Sequence, residues 1–139
     1  MDKVQLSQEV IRLHADMCSA LADPSRLLLL YALADKPHTV SELTADVNIS
    51  QPTTSRHLRV LRERALVTVD RRGPSSYYAL ADHRMIEAVD LLRGVLATQL
   101  DAEGRIERQA RAARPAGTTR MARAATPRRS ASAARKGTA

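Results

Sequence analysis

The side chains best suited to chemistry in this sequence lie between residues 50 and 72, where arginines and small hydroxyl residues recur at helical spacing. Residues 51–64 are predicted to form a helix with Ser50 as its N-cap and Pro52 in its first turn. Glutamine can read adenine, arginine can read guanine, and hydroxyls contact bases or phosphates. The polar face of this helix therefore predicts DNA binding, and it comprises Gln51, Thr53, Ser55, Arg56, Arg59 and Arg62.

The opposite face of the same helix is apolar. Thr54, Leu58, Leu61 and Ala65 follow i, i+4, i+7 and i+11 spacing, which predicts a buried stripe. A shorter helix, SELTADV, precedes it and is joined to it by the turn NIS. Two helices in this order are typical of a helix-turn-helix, whose second helix enters the major groove.

Two β-prone segments follow, ALVTVD and SSYYAL, joined by the basic tip RRGP. Arg71 and Arg72 in this hairpin can reach the DNA backbone or the minor groove. The predicted fold is mainly α with a small β-hairpin wing, a winged helix-turn-helix. An arginine-rich helix is often only a solvated surface, but the conjunction with a capped turn and a basic hairpin favours DNA. The predicted contacts are Ser50, Gln51, Thr53, Thr54, Ser55, Arg56, His57, Arg59, Arg62, Arg71 and Arg72.

The positive charge is distributed unevenly. Of the formal net charge of +7, residues 114–139 supply seven basic side chains and no acid, so residues 1–113 are formally neutral. Residues 51–72 hold six arginines against Glu63 and Asp70. A local basic face on a neutral body fits groove docking. The scarcity of aromatic residues, at 2%, argues against single-stranded nucleic acid, so the predicted partner is double-stranded DNA.

The remaining segments predict a helical dimer. A helix over about 4–22 places Val10, Ile11 and Met17 on one stripe, and Asp23-Pro24 begins a mostly apolar helix over 24–34. After the hairpin, a long helix from about 83 carries two apolar stripes and ends between Gly104 and Ala113. Because so small a domain cannot bury both stripes, we expect a homodimer through the first and last helices; one broad core face is the alternative.

The chain is expected to have one folded domain and a tail. Residues 1–113 are predicted to form the DNA-binding and dimerisation domain, and residues 114–139 a disordered basic tail. That tail is either a non-specific DNA clamp or a solvated segment. The N-terminus lacks a basic-then-apolar signal pattern, and the run LLLLYALA is too short to span a bilayer. The expected location is cytoplasmic.

The sequence resembles the ArsR/SmtB family of small dimeric bacterial repressors over roughly residues 8–100. The resemblance is carried by ALADPSRLLLLYAL, by SELTADVNISQPTTSRHLRVLRERALV and by RRGPSSYYAL. It implies a winged-helix homodimer whose ligand state controls occupancy of a palindromic operator. One departure is Ala65, where the family usually has glycine.

The sensor regions depart further from the family. Many members of the family bind metal through a Cys-x-Cys box, and the positions of that box fall within residues 42–46, which hold no thiol. Other members use Asp and His near the start of the last helix, with further His and carboxylate ligands later in it. Here Asp82-His83-Arg84 opens that helix, but the later positions, around Val95, are apolar. Tyr31 stands where a second sensing cysteine often sits in oxidation-responsive members. No metal site and no cofactor are therefore predicted.

One weak sensor candidate is left, the pair Cys18 and His14, four residues apart on one predicted helical face. The competing interpretation makes Cys18, the chain's single cysteine, an inert buried residue and His14 a hydrogen-bonded interface residue. Of the other histidines, His57 is expected to be either a DNA-face or a packing residue of its helix. His38 is expected in a loop and His83 at a helix start, both solvated or capping.

The sequence thus predicts a dimeric, sequence-specific transcriptional repressor, with or without a chemical effector. The alternative is a nucleoid-associated protein that binds DNA through its basic tail with little sequence choice. An enzyme is not predicted, because the sequence holds no glycine-rich phosphate loop and no nucleophile–base–orienter set.

Overall fold

A computed structural model describes residues 2–113, which are mainly helical with one small antiparallel sheet. Residues up to Thr98 form one compact unit, and the helical turns from Gln99 onward belong to a second. The predicted basic tail at 114–139 lies outside the described residues. The predicted fold class, a winged helix-turn-helix, is confirmed.

The elements are α1 (α-helical over Lys3–Leu13 and Ser19–Leu21, π-helical over His14–Cys18), α2 (Pro24–Ala32), β1 (His38–Thr39), α3 (Val40–Val47), α4 (Gln51–Glu63), β2 (Val67–Arg72), β3 (Ser75–Leu80) and α5 (Arg84–Ala112).

Side-chain caps fix where the central helices begin. The Asp23 carboxylate accepts the backbone N–H of Ser25 at 2.8 Å, with Pro24 at the first helical position of α2. Thr39 and Glu42 form a reciprocal capping box at the start of α3. Ser50 caps α4 as predicted, accepting the N–H of Thr53 at 3.4 Å. These caps set the phase of each helix, and therefore the side chains that face the core.

The core lies between α2, α3, α4 and the base of the hairpin. Its fully buried members come from three successive helices, so the helix-turn-helix is packed as one body. A predicted member, Ala65, is instead exposed, because α4 ends at Glu63 and Ala65 takes a left-handed conformation with φ 57°. Leu66 occupies the core in its place. The buried apolar residues are Ala20, Leu29, Leu30, Leu33, Leu43, Leu58, Leu61, Leu66, Val67, Leu80 and Val89.

The sheet has three strands in the order β1-β3-β2, one more than the sequence predicted. The unpredicted β1 pairs antiparallel with β3, aligning His38 with Tyr78 and Thr39 with Tyr77. The hairpin pairs Val67 with Leu80 at its base and Arg72 with Ser75 at its tip. Arg71 and Arg72 therefore belong to β2, and the loop is reduced to Gly73 and Pro74. Gly73 has φ 60°, a conformation that glycine adopts without strain.

The last helix continues past Gly104 to Ala112, which is the longer of the two ends expected from the sequence. The Asp82 carboxylate accepts the N–H of Arg84 at 2.9 Å, so Asp82 caps this helix. Hydrogen bonds from the Arg84 side chain and backbone lower the pKa of Asp82 to about 2. Among residues 2–113, no helix combines the length and apolar character needed to cross a membrane.

Candidate nucleic-acid interface

The polar face of α4 is directed to solvent along its whole length. Gln51, Ser55, Arg56, Arg59 and Arg62 are exposed, and Thr53 is half-buried. These side chains project from the front of a helix whose back is locked into the core by Leu58 and Leu61, each 0% exposed. A rigid helix with an exposed polar front has the form required of a major-groove reader.

A chain of hydrogen bonds orders the first turn of α4. The Ser50 hydroxyl donates to Thr53 Oγ1 at 2.7 Å, and Arg56 Nη2 donates to the same oxygen at 3.2 Å. The guanidinium of Arg56 is therefore drawn toward the N-terminal end of the helix. In helix-turn-helix proteins this end of the recognition helix meets the base edges. The hydrogen bond to Thr53 thus orients the Arg56 side chain within the single chain.

Thr54 is a correction to the predicted contact set, since its side chain is 0% exposed. Its hydroxyl donates to the carbonyl of Ser50 at 3.0 Å and accepts from the hydroxyl of Thr44 at 3.1 Å. Both of its hydrogen-bonding roles are thus satisfied inside the protein, and the residue joins α3 to α4. A hydroxyl held in this way is withheld from DNA.

His57 also faces inward rather than along the polar front. Its side chain is only 16% exposed, and Nε2 lies 3.9 Å from Oδ1 of Asp23, the cap of α2. Although desolvation opposes the change, hydrogen bonds from the amides of Ser25 and Arg26, together with His57, lower the pKa of Asp23. His57 therefore packs α4 against the start of α2.

The two wing arginines have different surroundings. Arg72 lies 4.9 Å from the ring centroid of Tyr77, and its Nε is 3.1 Å from the carboxylate of Asp70. Arg71 is exposed and has no ion-pair partner among the described residues. Of the two predicted wing contacts, Arg71 is the more available to a phosphate.

Two helical faces away from α4 expose an unusual amount of apolar surface. In α1, no residue of Lys3–Leu13 is buried, and the exposed side chains include Val10 at 52% and Ile11 at 66%. On α5, Val89 is buried, whereas the later members of the predicted stripes are more than half exposed. Large exposed apolar patches mark interaction sites. The exposed large apolar side chains on α5 are Leu91, Leu92, Val95, Leu96, Leu100 and Ile106.

A polar cluster fixes the first part of α5 to α2. The Tyr31 hydroxyl donates to Asp90 Oδ1 at 2.6 Å, and Arg93 Nη1 donates to the same oxygen at 3.0 Å. Burial and the hydrogen bond to Asp90 raise the pKa of Tyr31, and the same hydrogen bond, with Arg93, lowers the pKa of Asp90. Tyr31, at the position where the resemblance led us to look for a thiol, is therefore a structural phenol that joins α2 to α5.

His14 and Cys18 lie in one helical segment, whereas His38 lies in β1 and His83 just before α5. His14 and Cys18 are both exposed on α1 in the single chain, so Cys18 is not buried within the fold of one chain. Within residues 2–113, no group of three or more His, Cys, Asp or Glu side chains is arranged to hold a metal ion. His83 is exposed as expected.

His38 corrects the loop prediction, because it is buried in β1. Its Nδ1 donates to the carbonyl of Lys36 at 2.7 Å, since a carbonyl can only accept. Its Nε2 lies 3.6 Å from Asp46 of α3. The contact with Asp46 ties β1 to α3, the first helix of the helix-turn-helix.

One charged residue at the end of α4 was not singled out from the sequence. Arg64 is the C-cap of α4, is exposed, and forms an ion pair with Asp16 of α1. Its place in the run RER extends the basic face by one residue, which is the signal that the sequence offered.

The family model and two similar proteins point to the same family of bacterial regulators. The bacterial regulatory protein arsR family matches residues 23–69, from the cap of α2 into β2. The chain is 44% identical over 72 residues to a transcriptional repressor SmtB homolog of Synechocystis sp., covering 52% of this chain and 54% of that protein. It is 36% identical over 81 residues to the biofilm growth-associated repressor of Agrobacterium fabrum, covering 58% of this chain and 69% of that protein. The chain thus spans little more than half the length of the Synechocystis relative.

Solved structures agree with the sequence matches. The transcriptional repressor BigR from Xylella fastidiosa superposes with a TM-score of 0.60 at 28% identity, covering 68% of this chain and 96% of that one. A homodimeric winged helix-turn-helix DNA-binding domain from Mycobacterium bovis superposes with a TM-score of 0.58 at 27% identity. That match covers 72% of this chain and 89% of the other.

Proposed function

Because this chain belongs to the ArsR family of bacterial regulatory proteins, we propose that it is a transcriptional repressor that binds double-stranded DNA as a homodimer. The observation that carries the proposal is the exposed polar front of α4, held rigid by a buried back and a capped first turn. A repressor with a chromosomal target acts in the bacterial cytoplasm, which is the location we propose. Relatives named as repressors support the same role.

The DNA contacts of the proposal follow from exposure and orientation. Arg56, ordered by Thr53 at the start of α4, reads a base edge in the major groove. Arg59 and Arg62, further along the helix, contact phosphates or flanking bases. Arg71 supplies the wing contact, while Arg72 stiffens the wing against Tyr77. Ser50 and Thr53 serve chiefly to orient these groups.

The proposed dimer forms through the exposed apolar faces of α1 and α5. Leucine, isoleucine and valine side chains on these helices are more than half exposed in one chain. Burial of one such side chain contributes about 1.5–3 kcal/mol, so a second copy is the partner that removes the most apolar surface from water. Two-fold symmetry of the protein then requires a palindromic operator.

A chemical effector, if the repressor responds to one, is proposed to act at the exposed thiol of Cys18, beside His14. Thiolates react with soft metals and oxidants, and this is the single cysteine of the sequence. The operator complex can be titrated with zinc, arsenite, peroxide and polysulfide. Release of DNA that is lost in Cys18→Ser supports the thiol mechanism, and release that persists unchanged in Cys18→Ser contradicts it.

In vitro selection from a library of random-sequence duplexes tests the proposed function. The full chain should enrich one palindromic sequence and protect it in a footprint. A specific affinity about 1,000-fold or more above that for unrelated duplex is typical of a repressor.

The alternative, low-specificity binding through the basic segment, predicts a different result. No sequence would be enriched, and removal of residues 114–139 would abolish most binding together with its salt dependence. A repressor that reads DNA through α4 should keep its sequence preference after the same truncation. Its salt dependence should decrease only to the extent that the removed segment contacts phosphates.

A further inference from the structure

One ion pair joins the first helix to the end of the proposed recognition helix. Arg64 Nη1 lies 3.1 Å from Asp16 Oδ1, and Arg64 is the C-cap of α4. Within residues 2–113 no other ion pair connects α1 with residues 51–64. The contact therefore links a helix with an exposed apolar face directly to the helix with the polar front.

The two ends of α1 are held very differently. Its C-terminal end is anchored in the body, because Ala20 is 1% exposed and Arg26 donates to the carbonyls of Ala20 and Ser19 at 2.5 and 3.2 Å. Its N-terminal part, Lys3–Leu13, has no buried residue. Asp16 lies between these two parts of α1. Its ion pair with Arg64 holds α1 against the end of α4 at a point N-terminal to the anchored residue Ala20.

Asp16 also lies within the π-helical segment His14–Cys18. A π-helical turn holds more residues than an α-helical turn, so it changes the rotation of everything that precedes it. The second carboxylate oxygen of Asp16 lies 3.4 Å from Nε of Arg12, in the preceding α-helical part. Asp16 is thus the residue through which the direction of Lys3–Leu13 is tied to the end of α4.

From this geometry we propose that the Asp16–Arg64 pair positions α4 relative to the dimerisation face of α1, and so sets the half-site spacing that the dimer prefers. The inference rests on the proposed function, because it needs a DNA-binding dimer. Both side chains are nearly half exposed, at 42% and 44%. Exposed ion pairs contribute little to folding stability, so the effect of removing this one falls on orientation rather than on the fold.

The sign of the expected effect separates positioning from simple electrostatics. Asp16→Asn removes one negative charge per subunit, which by electrostatics alone should strengthen binding to a polyanion. Loss of positioning should instead weaken binding to the preferred duplex by about 3- to 10-fold, since two pairs per dimer are lost. Glu9→Gln is the matched control, because Glu9 lies on the same helix and contacts Gln5 rather than α4.

The experiment uses the full chain and the palindromic duplex selected by the unaltered protein. Variants of that duplex are made with the two half-sites moved closer or further apart by one and two base pairs. The unaltered protein and Glu9→Gln should prefer the selected spacing. Asp16→Asn should bind the altered spacings nearly as well as the selected one, and Asp16→Glu, which keeps the carboxylate, should restore the preference.

A double-mutant cycle tests whether Arg64 acts through Asp16. Arg64→Gln should have little further effect on spacing preference in the Asp16→Asn background. Additive effects of the two changes would mean that Arg64 acts on DNA by itself and would overturn the inference. An unchanged spacing preference in Asp16→Asn would overturn it as well. Failure of the unaltered protein to select any duplex would instead contradict the proposed function.

Discussion

The segment from α2 to β3, which holds α4, differs from the outer helices α1 and α5 in how much apolar surface it exposes. From α2 to β3 the large aliphatic side chains are buried or half-buried except Leu28, and Leu29, Leu43, Leu58 and Leu61 are each 0% exposed. On α1 and α5 the same kinds of residue stand in water, as with Ile11 at 66% and Leu92 at 67%. The core behind α4 is complete within one chain, whereas the proposed dimer faces on α1 and α5 are not covered within it. We therefore expect recognition and assembly to be separable in this molecule.

The largest effect should come from the segment from α2 to β3. Leu58→Ala removes a fully buried side chain from the back of α4 and should lower the free energy of unfolding by about 2–5 kcal/mol. Chemical denaturation followed by circular dichroism measures this loss. The loss should be the same at every protein concentration. A loss that grows on dilution would mean that the core itself depends on the second chain.

The proposed dimer faces should respond in the opposite manner. Leu92→Glu places a charge on the exposed stripe of α5 and should weaken dimerisation by about 1.5–3 kcal/mol per subunit, the value of one buried leucine. Sedimentation across a range of concentrations measures the dissociation constant. The matched control is Ala97→Glu, which places the same charge at an exposed position of the same helix outside the two apolar stripes. Equal behaviour of the two variants would argue against an α5 interface.

A smaller effect should appear at the junction between α4 and the wing. Ala65 has φ 57°, a left-handed conformation that costs a residue with a Cβ about 1–2 kcal/mol. Ala65→Gly should therefore stabilise the fold by about 0.5–1 kcal/mol after the greater chain entropy of glycine is subtracted. Thermal unfolding measures the change. The control is Ala45→Gly in the exposed face of α3, where glycine should destabilise.

The smallest effect concerns the cap of α5. Hydrogen bonds from Arg84 lower the pKa of Asp82 to about 2, below the ordinary 3.8. A depressed carboxyl pKa stabilises the fold above about pH 4, and the contribution is lost as the pH falls toward 2. Asp82→Asn should thus have a slightly lower Tm than the unaltered protein at about pH 6, with the difference shrinking between about pH 4 and 2. A difference that stays constant over that range would contradict the assigned ion pair.

The helices α2 and α4 were predicted well from the sequence because their caps and apolar stripes agree with the way the two helices pack in the core. Ser50 caps α4, Asp23-Pro24 opens α2, and the i, i+4, i+7 stripe places Leu58 and Leu61 in the core. The position of Ala65 was also identified as one where glycine is usual, and it takes the positive φ that explains this. Each of these signals acts within a few residues, which is why sequence reasoning reaches them.

What the sequence did not reveal depends on partners distant along the chain. The two residues of β1 are too few to show alternation, and they become a strand only by pairing with Tyr77 and Tyr78. Thr54 was placed both on the buried stripe of the helix and among the DNA contacts; its burial is confirmed, and only the hydrogen bonds with Ser50 and Thr44 show that its hydroxyl is already satisfied. The π-helical turn at Asp16 likewise has no compositional signature.

The variant Arg56→Ala determines whether the exposed front of α4 reads DNA. Footprinting on the duplex selected by the unaltered protein compares this variant with Arg105→Ala, which removes the same charge from α5. Loss of a base contact in each subunit should reduce specific affinity by about 10-fold or more, with folding and dimerisation intact and with Arg105→Ala close to unaltered. Undiminished protection of the selected duplex by Arg56→Ala would show that DNA is read by a different face.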